Sequence, residues 1–195
     1  KEIIEAAHAC GVKVVASNHD FDKTPDKDDI VGRLRKMQDM GADITLLNEN
    51  YGNGEPTADL LVRHSELHGV TVGGSVIPTL IDELPVVAAL ACFARGTTVI
   101  RDAQELKVKE SNRIDVMVNN LRAMGAHIEG TDDGMIIEGG YPLHGAIIDS
   151  HLDHRIAMTF AVAALGASGE TEILDADCVN ISYPGFYGDL ERLCK

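Results

Sequence analysis

Helix and strand patterns alternate along this chain, and two of the alternating segments echo each other. VAALACFARGTTVIRDA begins at Val87, and VAALGASGETEILDA begins at Val162. Each segment is typical of a helix, a turn of small residues and a strand, and an Asp-Ala pair follows the strand. MGADI at 40–44 likewise returns as MGAHI at 124–128. Such echoes indicate a supersecondary unit used more than once, with chance similarity between two crossovers as the alternative.

Hydrophobic spacing predicts an α/β (α+β) fold. Helices are predicted near 82–95, 109–124 and 153–166, and the middle one carries its apolar residues on one face, namely Ile114, Met117, Leu121 and Met124. Short β-branched runs between them predict strands in DITLL, LLVRH, GVTVGG, TTVIRD, HIEG, GMIIEG, GAIID and ETEILD.

The amino-terminal part has a simpler helix–strand–helix–strand pattern. Residues 2–10 have helical spacing, Val12 to Ala16 form a β-branched run, a second helix ends at Gly41, and Ile44 to Leu47 begin another strand. This alternation predicts parallel strands joined by right-handed crossovers.

Composition limits the partners that this chain can have. Its 17 basic and 31 acidic residues give a net charge of −14, which would repel a phosphate backbone and argues against nucleic-acid binding. No apolar run of about 18 residues occurs, so we expect no membrane span. The four cysteines are scattered, which favours free thiols and a cytoplasmic location. The first residue is not Met, so we expect a piece, a processed product or an engineered chain.

The stretch RDAQELKVKESNRID, residues 101–115, concentrates cations in an acidic protein. If a helix begins near Lys109, then Lys109 and Arg113 share one face, with Glu110 beside them to exchange protons or tether the amine. Cations at a helix start oppose the macrodipole, and a bound anion would offset that cost. The alternative is a solvated helix start with surface ion pairs.

A second cluster lies in DSHLDHRIAM, residues 149–158. Asp153 is placed to cap a helix, and His154 and Arg155 would project from its first turn, where an anion could bind. The alternative is one cap followed by two exposed polar residues. Neither cluster has the HExxH or CxxC spacing of a zinc site, so we expect no metal and no other cofactor.

Two further residues are candidates by position. Asp82, in IPTLIDELP, could accept a substrate hydroxyl proton, or it could simply cap the apolar helix that follows. His19, in SNHDFDKTP, follows a strand, which is a common place for active-site residues in α/β proteins, although turn histidines are also frequent.

These motifs carry a resemblance to a known family. Five segments resemble the carboxyl-terminal lobe of 5-enolpyruvylshikimate-3-phosphate (EPSP) synthases and occur in the same order as in that family. They are IPTLIDELPVVAALA, ELKVKESNRI, MGAHIEGTDDGMIIEGG, DSHLDHRIAM and VNISYPGF. The resemblance covers about residues 39–195. By contrast, the amino-terminal part resembles type I 3-dehydroquinate dehydratases in the segments VKVVASNHDFDKTP and RLRKMQDMGADI. The two resemblances suggest a chimera, in which residues 1–44 resemble part of a dehydratase TIM barrel and residues 45–195 resemble the synthase lobe.

The synthase resemblance implies a fold, a reaction and site residues. It implies repeated βαβαββ units and a transferase that moves enolpyruvyl from phosphoenolpyruvate to shikimate 3-phosphate. Asp82 and Glu110 would transfer protons, and Lys109 would bridge the shikimate 5-hydroxyl and phosphoenolpyruvate. Arg113 and Arg155 would bind phosphoenolpyruvate with His154 beside them.

The departures from both families suggest an inactive chain. The second lobe of the synthases has no counterpart here, so we expect little activity unless a complementary lobe is supplied. VNIS precedes the Tyr-Pro motif, where some synthases carry a phosphate-binding lysine, so we do not expect that contact here. His19 matches the dehydratase histidine, but TLLNE replaces the strand that carries the Schiff-base lysine, so that reaction should be absent. The alternatives are a non-catalytic scaffold with an idle anion pocket and, less favoured, a dehydratase.

Overall fold

The computed structural model describes residues 12–15, 34–50 and 57–194. Contacts within the chain divide it into two compact units. One unit consists of residues 1–66 with 190–195, and the other is Leu67–Asp189.

The first unit contains a three-stranded antiparallel sheet. Residues 34–39 are helical (α1), and the strands are β1 (Val12–Val15), β2 (Asp43–Asn50) and β3 (Thr57–Arg63). The strand order is β1-β3-β2, and β3 pairs antiparallel with both neighbours. The prediction that β1 and β2 pair in parallel is therefore wrong. Both strands run in the same direction, but β3 lies between them, and each is hydrogen-bonded to β3. The predicted helix at residues 2–10 lies outside the described residues.

The second unit holds two sheets and most of the helices. Its strands are β4 (Thr71–Val72), β5 (Gly96–Ile100), β6 (His127–Gly130), β7 (Met135–Gly139), β8 (Ile147–Asp149) and β9 (Glu172–Leu174). One sheet has the order β4-β5-β7-β6, and β8 pairs with β9 alone. The β4–β5 and β8–β9 pairs are parallel, whereas β7 is antiparallel to β5 and β6. Each of the eight short strands predicted from sequence overlaps an observed one.

Of the remaining five helices that the structure describes, the middle three overlap the predicted ones, whereas the first and the last were not predicted. They are α2 (Ile77–Leu80), α3 (Leu84–Phe93), α4 (Arg113–Ala123), α5 (His154–Ala164) and α6 (Phe186–Leu193), with 3-10 turns at Gly74–Val76, Gln104–Val108 and Ala176–Ile181. Among the described residues no single helix is long and apolar enough to cross a membrane, and only the pair 74–80 and 84–93, bent by 109°, meets the length and composition criteria together.

The core of the second unit forms where the predicted apolar faces meet. On α4, Ile114, Met117 and Leu121, with Met124 just beyond the helix, are almost completely buried, so the predicted face is confirmed. The helix α3 packs against α5 and β7, and Phe160 of α5 is fully buried. Removing this much apolar surface from water is the main stabilising contribution to the unit.

The echoed MGA segments adopt the same turn. In both, the amides of Met, Gly and Ala donate to carbonyls four, three and five residues earlier. Gly41 and Gly125 have φ angles of 96° and 89°, the left-handed conformation that ends a helix and favours glycine. Each turn leads directly into a strand, β2 in one case and β6 in the other.

The second echoed pair also shares a local geometry. The helix α3 leads into β5, which pairs in parallel with β4, and α5 leads into β9, which pairs in parallel with β8. An aspartate in the left-handed conformation lies just beyond each strand, Asp102 with φ 61° after β5 and Asp175 with φ 53° after β9. A 3-10 turn follows each aspartate.

Candidate active site

The centre of the candidate site is Arg113, the first residue of α4, whose side chain has no exposed surface. Its Nε donates to Oδ2 of Asp153 at 2.8 Å, and its Nη1 donates to Oδ1 of Asp82 at 2.9 Å. Its Nη2 donates to Oε2 of Glu110 at 2.6 Å and to Oδ1 of Asp153 at 3.3 Å. Burial lowers the pKa of Arg113, but the hydrogen bond and charge of Asp153, helped by Asp82 and Glu110, raise it above its usual value.

Asp153 joins the beginnings of two helices. Its carboxylate caps α5 by accepting the amides of Arg155 at 3.0 Å and Ile156 at 3.4 Å, as predicted. It also binds Arg113 and accepts the hydroxyl of Ser111 at 3.0 Å, and it is fully buried. Burial raises the pKa of Asp153, but the hydrogen bonds from these donors and the charge of Arg113 lower it by more. The pKa of Asp153 is therefore below its usual range.

Asp82 lies in the short link between α2 and α3. The cap position of α3 is Glu83, so the alternative that Asp82 caps this helix is wrong. Its carboxylate instead lies within 3.7 Å of nitrogens from Lys109, Arg113 and Arg155. Burial raises the pKa of Asp82, but the charge of Arg155, the hydrogen bond from Arg113 and the charge of Lys109 bring it below its ordinary value.

Lys109 is not part of a helix, contrary to the prediction. It follows the 3-10 turn Gln104–Val108 in an extended conformation, and α4 begins only at Arg113, after the cap Asn112. The Asn112 side chain accepts the amide of Asp115, which starts the helix at this point. The Lys109 ammonium lies 2.8 Å from Oε1 of Glu105 and 3.7 Å from Oδ1 of Asp82.

Arg155, at the start of α5, contributes the third cation. Its Nη1 donates to the backbone carbonyl of Asp82 at 3.1 Å and lies 3.7 Å from Oε1 of Glu83. His154 precedes it as the first residue of α5 and is half-buried. The starts of α4 and α5 are thus adjacent, because Ser111 and Arg113 both bind Asp153.

The charges of this cluster determine which anions it can accept. Three cations, Lys109, Arg113 and Arg155, face five carboxylates. Lys109 and Arg155 keep 21% and 26% of their side-chain surface exposed, whereas Arg113 keeps none. An anion from solvent can therefore reach Lys109 and Arg155 directly. It can reach Arg113 only if Asp82 or Glu110 moves.

A cavity of about 220 Å³ lies beside the cluster. It is lined by polar side chains of Asp82, Glu83, Arg155 and Thr159 and by the apolar side chains of Val86, Met158, Val162 and Phe186. The site therefore has an apolar wall formed by α3, α5 and the first residue of α6.

Some predicted features lie elsewhere. Arg101 is exposed and lies 3.8 Å from Asp102, so it stays outside the ion-pair cluster. Lys107 is exposed on the 3-10 turn. His19 lies outside the described residues. Within residues 12–15, 34–50 and 57–194, no group of three or more His, Cys, Asp or Glu side chains is arranged to hold a metal ion.

Sequence reasoning missed four contributors to this site. Asp153 was predicted only as a cap, and Ser111, Glu105 and Glu83 were given no role. A buried arginine needs a counter-ion, and Asp153 beside a second predicted helix start was the available signal. Nothing in the sequence pattern indicated that Glu105 pairs with Lys109.

This geometry can be compared with known proteins. The family model for EPSP synthase (3-phosphoshikimate 1-carboxyvinyltransferase) matches residues 3–190. The chain belongs to the EPSP synthase family. The 3-phosphoshikimate 1-carboxyvinyltransferase of Alkaliphilus oremlandii is 54% identical over 164 residues, which are 84% of this chain and 38% of that protein. The same enzyme from Thermoanaerobacter sp. strain X514 is 54% identical over 83% of this chain and 38% of its own length.

Solved structures agree with this family assignment. The 2.37 Å structure of EPSP synthase from Acinetobacter baumannii has a TM-score of 0.80 and 38% identity, and the match covers 98% of this chain and 44% of that one. The enolpyruvyl transferase NikO from Streptomyces tendae, at 22% identity and a TM-score of 0.64, shares the fold over 84% of this chain and 35% of that one. The mixed α/β fold is therefore that of EPSP synthases, and this chain spans 38% of the length of the curated relatives described above.

Proposed function

We propose that this chain carries one wall of a 3-phosphoshikimate 1-carboxyvinyltransferase active site. The observation that supports this most strongly is the convergence of Lys109, Arg113 and Arg155 on Asp82, in a member of the EPSP synthase family. Three cations around one carboxylate suit a reaction between two anionic substrates. The substrates would be shikimate 3-phosphate and phosphoenolpyruvate.

The proposed chemistry uses only side chains of the kinds found here. The 5-hydroxyl of shikimate 3-phosphate adds to C2 of phosphoenolpyruvate and loses its proton, while C3 gains one and becomes a methyl group. Loss of a C3 proton then expels phosphate from the tetrahedral ketal and restores the double bond. Such a sequence needs positioned acids and bases and cations for the phosphate and carboxylate, and we propose no cofactor.

The proposed roles follow from exposure and charge. Asp82 has a pKa below its ordinary value, so it is ionised at neutral pH and would accept the hydroxyl proton as a weak base. Glu110 is half-exposed and pairs with Arg113, and we propose that it transfers the proton at C3. Lys109 and Arg155, the partly exposed cations, would bind the incoming anion first, with His154 beside them. Arg113 would join after its carboxylate partners move.

We also propose that the 195 residues turn over little or not at all by themselves. The match to 38% of the relatives' length supports this proposal, because one wall cannot exclude water from both substrates. A complementary lobe would supply the rest of the cleft, either from a longer chain or in trans. The enzyme would work in the cytoplasm.

The repeat and the origin of residues 1–44 are separate proposals. The equivalent MGA turns and the two parallel strand pairs support a repeated βαβαββ unit. For residues 1–44, the dehydratase-like motifs favour a chimeric segment that stands in for one unit, although the synthase family match begins at residue 3. Sequencing upstream of the gene tests this, since a continuing dehydratase supports the chimera and a continuing synthase lobe overturns it.

Calorimetry with both substrates tests the proposed function. We expect heat on titrating phosphoenolpyruvate in the presence of shikimate 3-phosphate, and its loss in Lys109→Ala. Lys107→Ala is the matched control, because this exposed lysine lies two residues earlier on the adjoining 3-10 turn, and it should bind as the wild type does. Absence of heat at millimolar ligand would overturn the proposal, and phosphate release above background would overturn the predicted inactivity.

A second candidate function is a scaffold whose anion pocket is idle. The observation that favours it is the surplus of carboxylates, which already pair with all three cations. The same calorimetry separates the two functions, because a scaffold gives no heat that depends on Lys109. A dehydratase is disfavoured, and we expect no turnover of 3-dehydroquinate.

A further inference from the structure

The carboxylates of the cluster are held with very different strength. Asp153 is fully buried and accepts hydrogen bonds from two side chains and two backbone amides. Asp82 contacts all three cations, and Glu110 lies 2.6 Å from the buried Arg113. Glu105 is the most exposed, at 59%, and among the residues that the structure describes it forms an ion pair with Lys109 alone. Displacing Glu105 should therefore cost less than displacing any of these three.

Glu105 also occupies the position that an anionic ligand would need. Its Oε1 lies 2.8 Å from the Lys109 ammonium, whereas Asp82, the other carboxylate partner, is 3.7 Å away. Lys109 has only 21% of its side chain exposed, so an anion that binds it from solvent competes with Glu105 for the same donors. The two residues are four apart across the 3-10 turn Gln104–Val108, so a side-chain rotation can release the pair without moving a helix.

We propose that Glu105 is a displaceable counter-ion of Lys109, which holds the ammonium in place until a phosphate or carboxylate of the substrate replaces it. Glu105 is a positioning residue, since it acts through Lys109 and does not touch the reacting atoms. The inference rests on the proposed function, because it takes Lys109 as a substrate-binding cation. It adds a group that sets the affinity for the incoming anion.

The direction of the effect separates displacement from a purely structural role. A displaced carboxylate competes with the ligand, so Glu105→Gln should tighten the binding of inorganic phosphate and phosphoenolpyruvate about two- to fivefold, the range that an exposed ion pair contributes. A carboxylate that only supports the turn would instead leave binding unchanged or weaken it. Glu105→Asp keeps the charge on a shorter side chain and should bind with intermediate affinity.

The control must remove one negative charge elsewhere. Glu129→Gln does so at an exposed position on β6, and it should change affinity much less than Glu105→Gln. The double variant Glu105→Gln/Lys109→Ala should bind no better than Lys109→Ala alone, because the gain depends on the ammonium. Affinities are measured by calorimetry at one ionic strength, since salt screens both the ion pair and the ligand.

A second readout needs no ligand. Acylation by a neutral reagent, followed by peptide mass spectrometry, reports how accessible the Lys109 amine is when Glu105 no longer pairs with it. We expect Lys109 to be labelled faster in Glu105→Gln than in the wild type, with Lys107 unchanged. Equal labelling of Lys109 in both proteins would overturn the inference even if no variant bound a ligand.

The two failures are distinguishable. If the wild type binds phosphoenolpyruvate and Glu105→Gln binds it no more tightly, the inference is wrong and the proposed function stands. If no variant binds either probe, the proposed function is wrong, and displacement of Glu105 by a substrate falls with it. Binding that is tightest in Glu105→Gln and unchanged in Glu129→Gln, with faster labelling of Lys109, supports both.

Discussion

The Arg113 guanidinium and the Asp153 carboxylate form a completely buried ion pair, with Nε and Oδ2 2.8 Å apart. The two residues begin or cap different helices and are 40 positions apart in the chain. Both charges have lost their water, so each needs a partner of opposite charge to offset that loss. The pair therefore fixes the start of α4 against the start of α5, and with them the positions of Lys109 and Arg155.

Replacing Asp153 with Asn should destabilise the second unit severely. The amide keeps an acceptor for the α5 cap but leaves Arg113 without its fully buried counter-charge, and breaking such a pair costs about 3–5 kcal/mol. Urea unfolding monitored by circular dichroism measures the change. Asp149→Asn, at an exposed carboxylate that accepts the amide of His151, is the control and should cost less than about 1 kcal/mol. A small change in Asp153→Asn would contradict this account of the pair.

Acid should destabilise the protein partly through Asp82 and Asp153. Burial raises both pKa values, but cations and donors outweigh it, so both lie below the ordinary value of 3.8. A carboxyl whose pKa is lower when folded contributes stability above its unfolded pKa and loses it as pH falls towards its folded pKa. We therefore expect Tm to decrease as the pH drops below about 5. Asp82→Asn should show a shallower fall, and a slope identical to the wild type would refute the effect.

Two glycines at parallel strand pairs should not tolerate a side chain. A Cβ on Gly69 would overlap the backbone carbonyl of Thr97, and one on Gly145 would overlap that of Glu170. We expect Gly69→Ala and Gly145→Ala each to cost about 1–3 kcal/mol, measured by thermal unfolding. Gly188→Ala is the control, since its Cβ would meet no atom and alanine favours the helix by about 1 kcal/mol. Equal stability of all three variants would contradict the close contacts of Gly69 with Thr97 and of Gly145 with Glu170.

The described cysteines should differ in reactivity. Burial raises the pKa of the Cys92 thiol to about 12, and burial also raises that of Cys178, whereas Cys194 is only partly buried. Because the thiolate is the nucleophile, iodoacetamide at pH 8 should modify Cys194 first and Cys92 only after unfolding. Peptide mass spectrometry over time measures the order. Early modification of Cys92 in the folded protein would contradict the burial of that thiol.

Sequence patterns predicted the local elements of this protein well. The face of α4 formed by Ile114, Met117 and Leu121 is buried as predicted, and Asp153 caps α5. These features depend on residues within one or two helical turns, so spacing and capping chemistry were sufficient. The pairing of β1 with β3 was not predicted, because an alternating pattern does not specify which strand lies between two others.

The site was predicted in its residue types but not in its connections. Asp82, Lys109, Glu110, Arg113 and Arg155 were identified, yet Lys109 was placed in a helix and Arg113 was expected to face an anion. The structure pairs Arg113 with carboxylates 31 and 40 residues away, and Arg155 with the Asp82 carbonyl 73 residues away. Such contacts depend on the packing of whole elements and leave no local pattern.

By itself, the sequence determined the helix faces, the caps and the chemical types of the site, because these follow from side-chain spacing and from groups that interact within a few residues. Only the tertiary structure decided that Arg113 would be buried among carboxylates, that Lys109 would pair with Glu105, and that Lys109 and Arg155 would keep exposed surface. The reason is physical: burial and charge pairing arise when distant segments exclude water together, and no single segment carries that information.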